Sequence, residues 1–285
     1  MIKRLRKYRK SMLLLLTLAA LSCYDGLQVT HYHIETEKLT DNMTIALITD
    51  LHGTVYGKNQ RELIDAIRDE SPDIIMLGGD IYDHRGAQNA ARTLLAALPE
   101  IAPTYYVSGN HEWWSENPQQ IFAEIEMLGI TVLADEYVRV GGVIIAGVDD
   151  PAKGYNQYIA DRFDDMFTPY SGYEQEPSLK EAFGDLAEES AYKILLAHRP
   201  ERLSLYAEYG FDLVLSGHAH GGQVRVPYIL NGLYSPNQGV FPQNAGGVYE
   251  SGDTTLVVSR GLSRVHSARV RVFNRPELVF VRLNC

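Results

Sequence analysis

The chain has 285 residues, 45% of them hydrophobic and 22% charged, an ordinary globular composition that excludes disordered, collagen-like and disulfide-rich classes. Its formal net charge of −10 argues against a general nucleic-acid binder, which needs a basic face. Only Cys23 and Cys285 are cysteines, one beside an apolar run and one at the last position, so a structural disulfide between them is not expected.

The first ten residues, "MIKRLRKYRK", hold six Lys or Arg and no acid. The apolar run "SMLLLLTLAALSC" follows, from Met12 to about Cys23. A basic stretch before a short apolar stretch reads as a secretory signal or a signal anchor, although the run is shorter than the roughly 20 residues of a full span. The basic side would stay cytoplasmic and place the body outside. A buried amphipathic helix is the alternative, but it gives the six basic residues no purpose. Cys23, after the small Ser22, is also a candidate for lipid modification after cleavage, although Leu21 and Ala20 fit that signal poorly. The expected division is a basic, hydrophobic N-terminus over residues 1–30 and one domain over 31–285.

From Thr44 strands alternate with helices. "MTIALITD" reads as a buried strand, "GKNQRELIDAIRDES" as a helix, "PDIIMLGGD" as a strand and "GAQNAARTLLAALPEI" as a helix. "PTYYVSGN" is a third strand, and "ENPQQIFAEIEMLG" is a helix with Pro118 near its first turn. This alternation predicts crossover connections and a largely parallel sheet. "ITVLAD", "EYVRVGG" and "VIIAGVDD" then read as short strands of a meander. An acidic, loop-rich insertion is expected at about 150–192. "AYKILLAH" and "FDLVLSGH" are strands again, with a helix between them. "NGLYSPNQGVFPQNAGGVYE" reads as a long irregular loop, and "TTLVVSRGL" and "PELVFVRL" as the last strands.

Polar residues gather where these strands end. The first ends in Asp50 and His52, the second in Asp80 and Asp83, the third in Asn110 and His111. Later strands end at His198 and at "GHAH", with His218 and His220. In open α/β sheets, ligands bind outside the carboxyl ends of strands. Each residue alone has an ordinary reading as a turn, cap or core residue, but five of the nine histidines fall at these ends, which coincidence explains poorly. Carboxylates, imidazoles and an amide oxygen suit hard to borderline divalent ions. Seven candidate ligands exceed one tetrahedral zinc and suit two ions sharing a carboxylate, the arrangement that polarises a phosphoryl group and binds a bridging hydroxide.

The ordered set "DLH", "GDIYD", "GNHE", "AH" and "GHAH" resembles the calcineurin-like metallophosphoesterase superfamily over residues 44 to 285. The resemblance implies an α/β fold of two mixed β-sheets packed as a sandwich and flanked by helices, a four-layer αββα arrangement. It implies that Asp50, His52 and His220 hold one metal and Asn110, His198 and His218 the other, with Asp80 bridging. His111 would stabilise charge on phosphoryl oxygens or protonate the leaving alkoxide, and Asp83 would orient His111 or a metal ligand. Two divalent ions, of Mn, Fe, Zn or Co, are the expected cofactors. "GHAHGGQVRVP", "SPNQG", "SRGL" and "FNRPEL" look similar to the bacterial membrane-associated branch that includes the YkuE and YaeI phosphoesterases. Ala219 stands where that branch commonly has Thr, the 150–192 insertion has no clear counterpart, and no twin-arginine signal is visible.

The leading expectation is a dinuclear phosphodiesterase of the cell membrane or envelope, its catalytic domain extracytoplasmic, using hydroxide attack on phosphorus. Its partners would be a phosphoester substrate, with lipid-linked or envelope phosphates as candidates, and the membrane through the N-terminus. Arg225, Arg264, His266 and Arg269 are candidates to hold substrate phosphate, against a plain reading as surface charges. Two alternatives stand beside it. One is a phosphoprotein phosphatase, although Ser108-Gly109 replaces the arginine such enzymes place before Asn-His. The other is a non-catalytic metal-binding module, although no expected ligand is missing.

Overall fold

The computed structural model describes residues 11–12, 17, 22–84, 88–153, 175–264 and 271–285. Two six-stranded sheets dominate it. Sheet 1 runs β1 (Gln28–Glu35), β14 (Glu277–Asn284), β2 (Met43–Ile48), β3 (Ile74–Gly78), β4 (Thr104–Val107), β5 (Thr131–Val132). Sheet 2 runs β12 (Gly247–Ser251), β13 (Thr254–Val258), β9 (Leu213–Ser216), β8 (Tyr192–Ala197), β7 (Val143–Val148), β6 (Glu136–Val140). Both sheets are mixed. In sheet 1 only the β14–β2 pair is antiparallel, and in sheet 2 the outer pairs β12–β13 and β6–β7 are.

The strand period of two divides the side chains between faces. Along β2, Ile45 and Leu47 point between the sheets, while Ala46 and Ile48 join the cluster outside sheet 1. Along β8, Ile194 and Leu196 point inward, and Leu195 and Ala197 join the cluster outside sheet 2. Both faces are covered, so the central strands read as unbroken apolar runs and not as alternating ones. Truncating Leu196 to Ala would cost about 2–5 kcal/mol of stability, as buried leucines do.

Helices cover the outside of each sheet. On sheet 1 lie α1 (Arg61–Asp69), α2 (Asn89–Ala97) and, after the four-residue α3 (Asn110–Trp113), α4 (Pro118–Met127), through Leu63, Ile67, Leu94, Leu95 and Ile125. On sheet 2 lie α5 (Gln175–Phe183) and α6 (Leu203–Ala207), through Leu179, Phe183, Leu203 and Tyr206. The four-layer αββα arrangement follows. Pro118 sits in the first turn of α4, and the Asn117 side chain accepts from the Gln120 N–H at 3.2 Å, a cap contributing about 1 kcal/mol.

Three readings of the chain change. The strands after α4 form no single meander, because β5 closes the edge of sheet 1 while β6 and β7 form a hairpin in sheet 2. The stretch 231–250 is not one irregular loop: it holds the short hairpin β10 (Tyr234–Ser235) and β11 (Gly239–Val240), then β12. A strand not foreseen, β1, begins at Gln28 and pairs in parallel with β14. Most of the expected signal or anchor lies outside the described residues, as do 154–174 of the acidic insertion. Among the described residues no helix is long and apolar enough to cross a membrane.

Candidate metal centre

Five strands end on one rim, and backbone hydrogen bonds from Asp50 N–H to Gly79 and from His52 N–H to Asp80 tie the turns after β2 and β3 together. Asp50, His52, Asp80, His218 and His220 all have positive φ, between 46° and 63°. Non-glycine residues rarely hold that conformation, and it concentrates at functional sites. Gly79 takes φ of +84°, and a Cβ there would lie 2.7 Å from the Gly109 nitrogen and 2.8 Å from His198 Nδ1. Glycine is what lets the β3 and β4 turns meet beneath His198.

Among the described residues four overlapping groups of ligand atoms result, and two of them, His52–Asp80–His111 and Asp83–His84–His111, gather around His111. The other two divide the expected ligands. Asp50, His52 and His220 converge in one, and Asp80, His198 and His218 in the other. The two histidines of "GHAH" thus enter different groups. Asp80 stands between them: its Oδ2 lies 3.5 Å from His52 Nε2 and 3.4 Å from His198 Nε2. Its Oδ1 accepts from the His111 N–H at 2.8 Å. Asp50 accepts from the His218 N–H at 3.1 Å on each oxygen, so a sheet 2 turn is fastened to a sheet 1 carboxylate. Asn110, at the start of α3, is buried, and its Oδ1 has no hydrogen-bond partner among the described residues.

Outer contacts fix which ring nitrogen faces inward. His198 Nδ1 donates to the Gly78 carbonyl at 2.7 Å, which leaves Nε2 toward Asp80. His220 Nδ1 lies 3.3 Å from Ser263 Oγ, and its Nε2 is 3.7 Å from Asp50. His218 Nε2 lies 2.8 Å from Asn237 Oδ1 and 2.7 Å from Arg199 Nη1, and Arg199 also donates to that Asn237 oxygen. Arg199 is buried and makes a two-pronged pair with Asp150, at 2.5 and 2.9 Å.

The charges are those of a site built for a cation. Burial raises the Asp50 carboxyl, with Asp80 adding to the effect. Burial also acts on Asp80, but His198, His111 and His52 outweigh it and hold that carboxyl well below the usual range. Burial would lower His198, yet Asp80 and Asp50 push it up to about 10. Two buried carboxylates demand positive charge, and without an ion the imidazoles supply it. Burial and the Arg199 charge hold His218 well below its ordinary range, in the neutral form a ligand needs. The donor set, the buried Asn110 oxygen and this charge demand together fit divalent ions.

His111 and Asp83 lie on the solvent side of the centre. His111 Nδ1 is 3.6 Å from Asp83 Oδ1 and 2.9 Å from His84 Nδ1, and Asp83 Oδ2 is 3.7 Å from His52 Nδ1. Arg264 stacks on Tyr56 at 4.6 Å and lies 3.9 Å from Glu62. Arg225 donates to Asn231. His266 and Arg269 lie outside the described residues.

Sequence reasoning missed Glu112, Arg199 and Asn237. Glu112 is buried and accepts from the N–H groups of Gly109, Asp80 and Tyr82 at 2.9–3.0 Å, binding the β3 turn to the start of α3. Burial first, then Asp80, push its carboxyl up to about 7. An acid three residues into a helix after Gly109 is a capping pattern, and that signal was available. Arg199 gave no such signal, and Asn237 stood in the motif "SPNQG" without an assigned role.

The profile of the calcineurin-like phosphoesterase family matches residues 43–222, a span that contains every ligand described above. A metallophosphoesterase of Aquifex aeolicus is 31% identical over 270 residues, covering 90% of this chain and 92% of its own. One from Helicobacter pylori is 30% identical over 244 residues, 79% of this chain and 61% of its own. A bovine relative described as a transmembrane protein with metallophosphoesterase domain is 26% identical over 274 residues, 88% of this chain and 55% of its own. The chain spans about three fifths of the length of the Helicobacter relatives.

Proposed function

The chain belongs to the calcineurin-like phosphoesterase family, and we propose that within it the chain is a dinuclear metal-dependent phosphodiesterase of the cell membrane or envelope. The observation that carries this reading is Asp80 Oδ2, poised 3.5 and 3.4 Å from histidines of two separate ligand groups. Asp50, His52 and His220 would hold one ion, Asn110, His198 and His218 the other, and Asp80 both. Bound there, two divalent ions supply Lewis acidity at the phosphoryl oxygens and a nucleophile at neutral pH. His111 faces the same opening, where its imidazole donates to a phosphoryl oxygen or gives a proton to the leaving alkoxide. Asp83, with an oxygen 3.6 Å from His111 Nδ1, keeps that ring turned toward the substrate.

Ser108 argues against the phosphoprotein phosphatase reading. It is buried, donates to Asp149 at 2.7 Å and accepts from Trp113 Nε1 at 2.8 Å, so this position offers nothing to a phosphate. The envelope location rests on the basic and apolar N-terminus, supported by the transmembrane description of the bovine relative. The YkuE/YaeI-like branch is supported by "SPNQG" and "GHAHGGQ", whose Asn237 and His218 are in contact.

Metal content and hydrolysis measured on one preparation test this. Two metals per chain with cleavage of bis-p-nitrophenyl phosphate in preference to p-nitrophenyl phosphate is the expected result. Two metals without hydrolysis of either would turn the reading to a binding module, and absence of metal would overturn it.

A further inference from the structure

Large apolar side chains exposed singly need no explanation, but a cluster of them does. Among the described residues fourteen are exposed, and seven of these are Val226, Tyr228, Ile229, Leu233, Val240, Phe241 and Phe273, within residues 226–241 and in the bend after Val272. They share one neighbourhood. Val226 and Leu230 close a tight turn whose tip is Tyr228 and Ile229, at 108% and 83% exposure. The Phe241 N–H bonds the Leu233 carbonyl at 2.8 Å. Val224, two residues before Val226, bridges Val272 beside Phe273.

Three features give this surface an occupant. Tyr228, Phe241 and Phe273 all hold positive φ, 65°, 59° and 48°, a costly conformation for aromatic residues. The fold spends strain here to present rings to the outside. The Phe273 N–H bonds the Ser22 carbonyl at 2.6 Å, so Ser22, just after the apolar residues of the N-terminal stretch of the sequence, meets the body beside this patch. Beneath the tip lies a cleft of about 430 Å³ whose walls include Arg225 and Arg260. Arg260 is paired with Glu277 at 2.7 Å, whereas Arg225 donates to the neutral Asn231. A protruding apolar and aromatic tip above a guanidinium suits the boundary between acyl chains and phosphate headgroups.

We infer that residues 226–233, 240–241 and Phe273 form a face that dips into a lipid bilayer. This face holds the metal centre at the lipid surface, because Asn237, three residues before Val240, touches His218. The substrate is then a phosphodiester with a long-chain lipid on one side of the phosphorus. This substrate half rests on the phosphodiesterase reading, and the lipid contact does not.

The test uses the full chain with Cys23 and Cys285 replaced by serine and Ile229→Cys carrying an environment-sensitive fluorophore. It is reconstituted in vesicles of phosphatidylethanolamine and phosphatidylglycerol. A blue-shifted emission quenched by lipids brominated along their acyl chains is expected. Emission as in water overturns the inference, and so does shielded emission without quenching, which would mean that protein covers the face. In parallel, hexadecyl p-nitrophenyl phosphate in vesicles is compared with soluble bis-p-nitrophenyl phosphate. A kcat/KM advantage of about tenfold or more for the lipid diester is expected. Joint Tyr228→Ser, Ile229→Ser and Phe241→Ser should abolish it while leaving soluble turnover within about twofold. An advantage that is absent or survives overturns the substrate half. Failure of wild type on the soluble diester would instead strike the phosphodiesterase reading.

Discussion

Sheet 1 and sheet 2 both end in acids at the same rim, and the acids differ in company. On sheet 2, after β7, Asp149 pairs with Lys153 at 2.7 Å and Asp150 with Arg199 at 2.5 Å. On sheet 1, Asp50 and Asp80 have histidine as their only ion-pair partners among the described residues. A buried carboxylate matched by a guanidinium is finished as a structural element. One surrounded by neutral-capable imidazoles is still open to a divalent ion. The partner, and not the burial or the position after a strand, separates the two roles.

Exchanging the acids breaks the comparison most severely. Asp80→Asn should lose both metals and reduce diester hydrolysis to background, read by elemental analysis and initial rates. Asp150→Asn should act on stability, costing about 3–5 kcal/mol because buried Arg199 loses its charge partner, seen as a lower midpoint in urea. Metal loss from Asp150→Asn with retention in Asp80→Asn would invert the argument.

The next effect separates holding metal from using it. His111→Ala should keep two ions and lower turnover by about 10²–10⁴-fold; unchanged turnover would remove His111 from the reaction. Smaller again is the outer support of His218. Asn237→Ala should weaken metal affinity about 10–100-fold in a chelator competition, with the fold intact by circular dichroism. The least effect is expected at Ser108, whose hydroxyl joins the ends of β4 and β7. Ser108→Ala should cost about 1 kcal/mol and leave catalysis nearly unchanged, which thermal unfolding and rate assays on one sample would check.

The ligands were legible because each follows an apolar run that must be a strand, and strand order along the chain already gathers their ends. Their supports were not. Asn237 lies in a hairpin of two-residue strands, too short to leave a periodic signal, and only packing brings it to His218. Arg199 follows the ligand His198 with no periodic or motif signal of its own, and the ends of β7 and β8 bury it against Asp150. Strand β1 has the sequence QVTHYHIE, half-buried on one face and alternating with outward residues. Its partner lies 249 residues away, beyond any local pattern.

That distant pairing orders the birth of the fold. β1 and β2 are separated by only residues 36–42, yet they do not pair, because β14 lies between them. A chain emerging from a ribosome makes this middle strand after every other strand described here. Until residue 284 is free, β2 keeps an open edge and β1 has no sheet to join. Sheet 1 therefore closes like a clasp, only once β14 has been made, and its long-range pairing sets a slow final step.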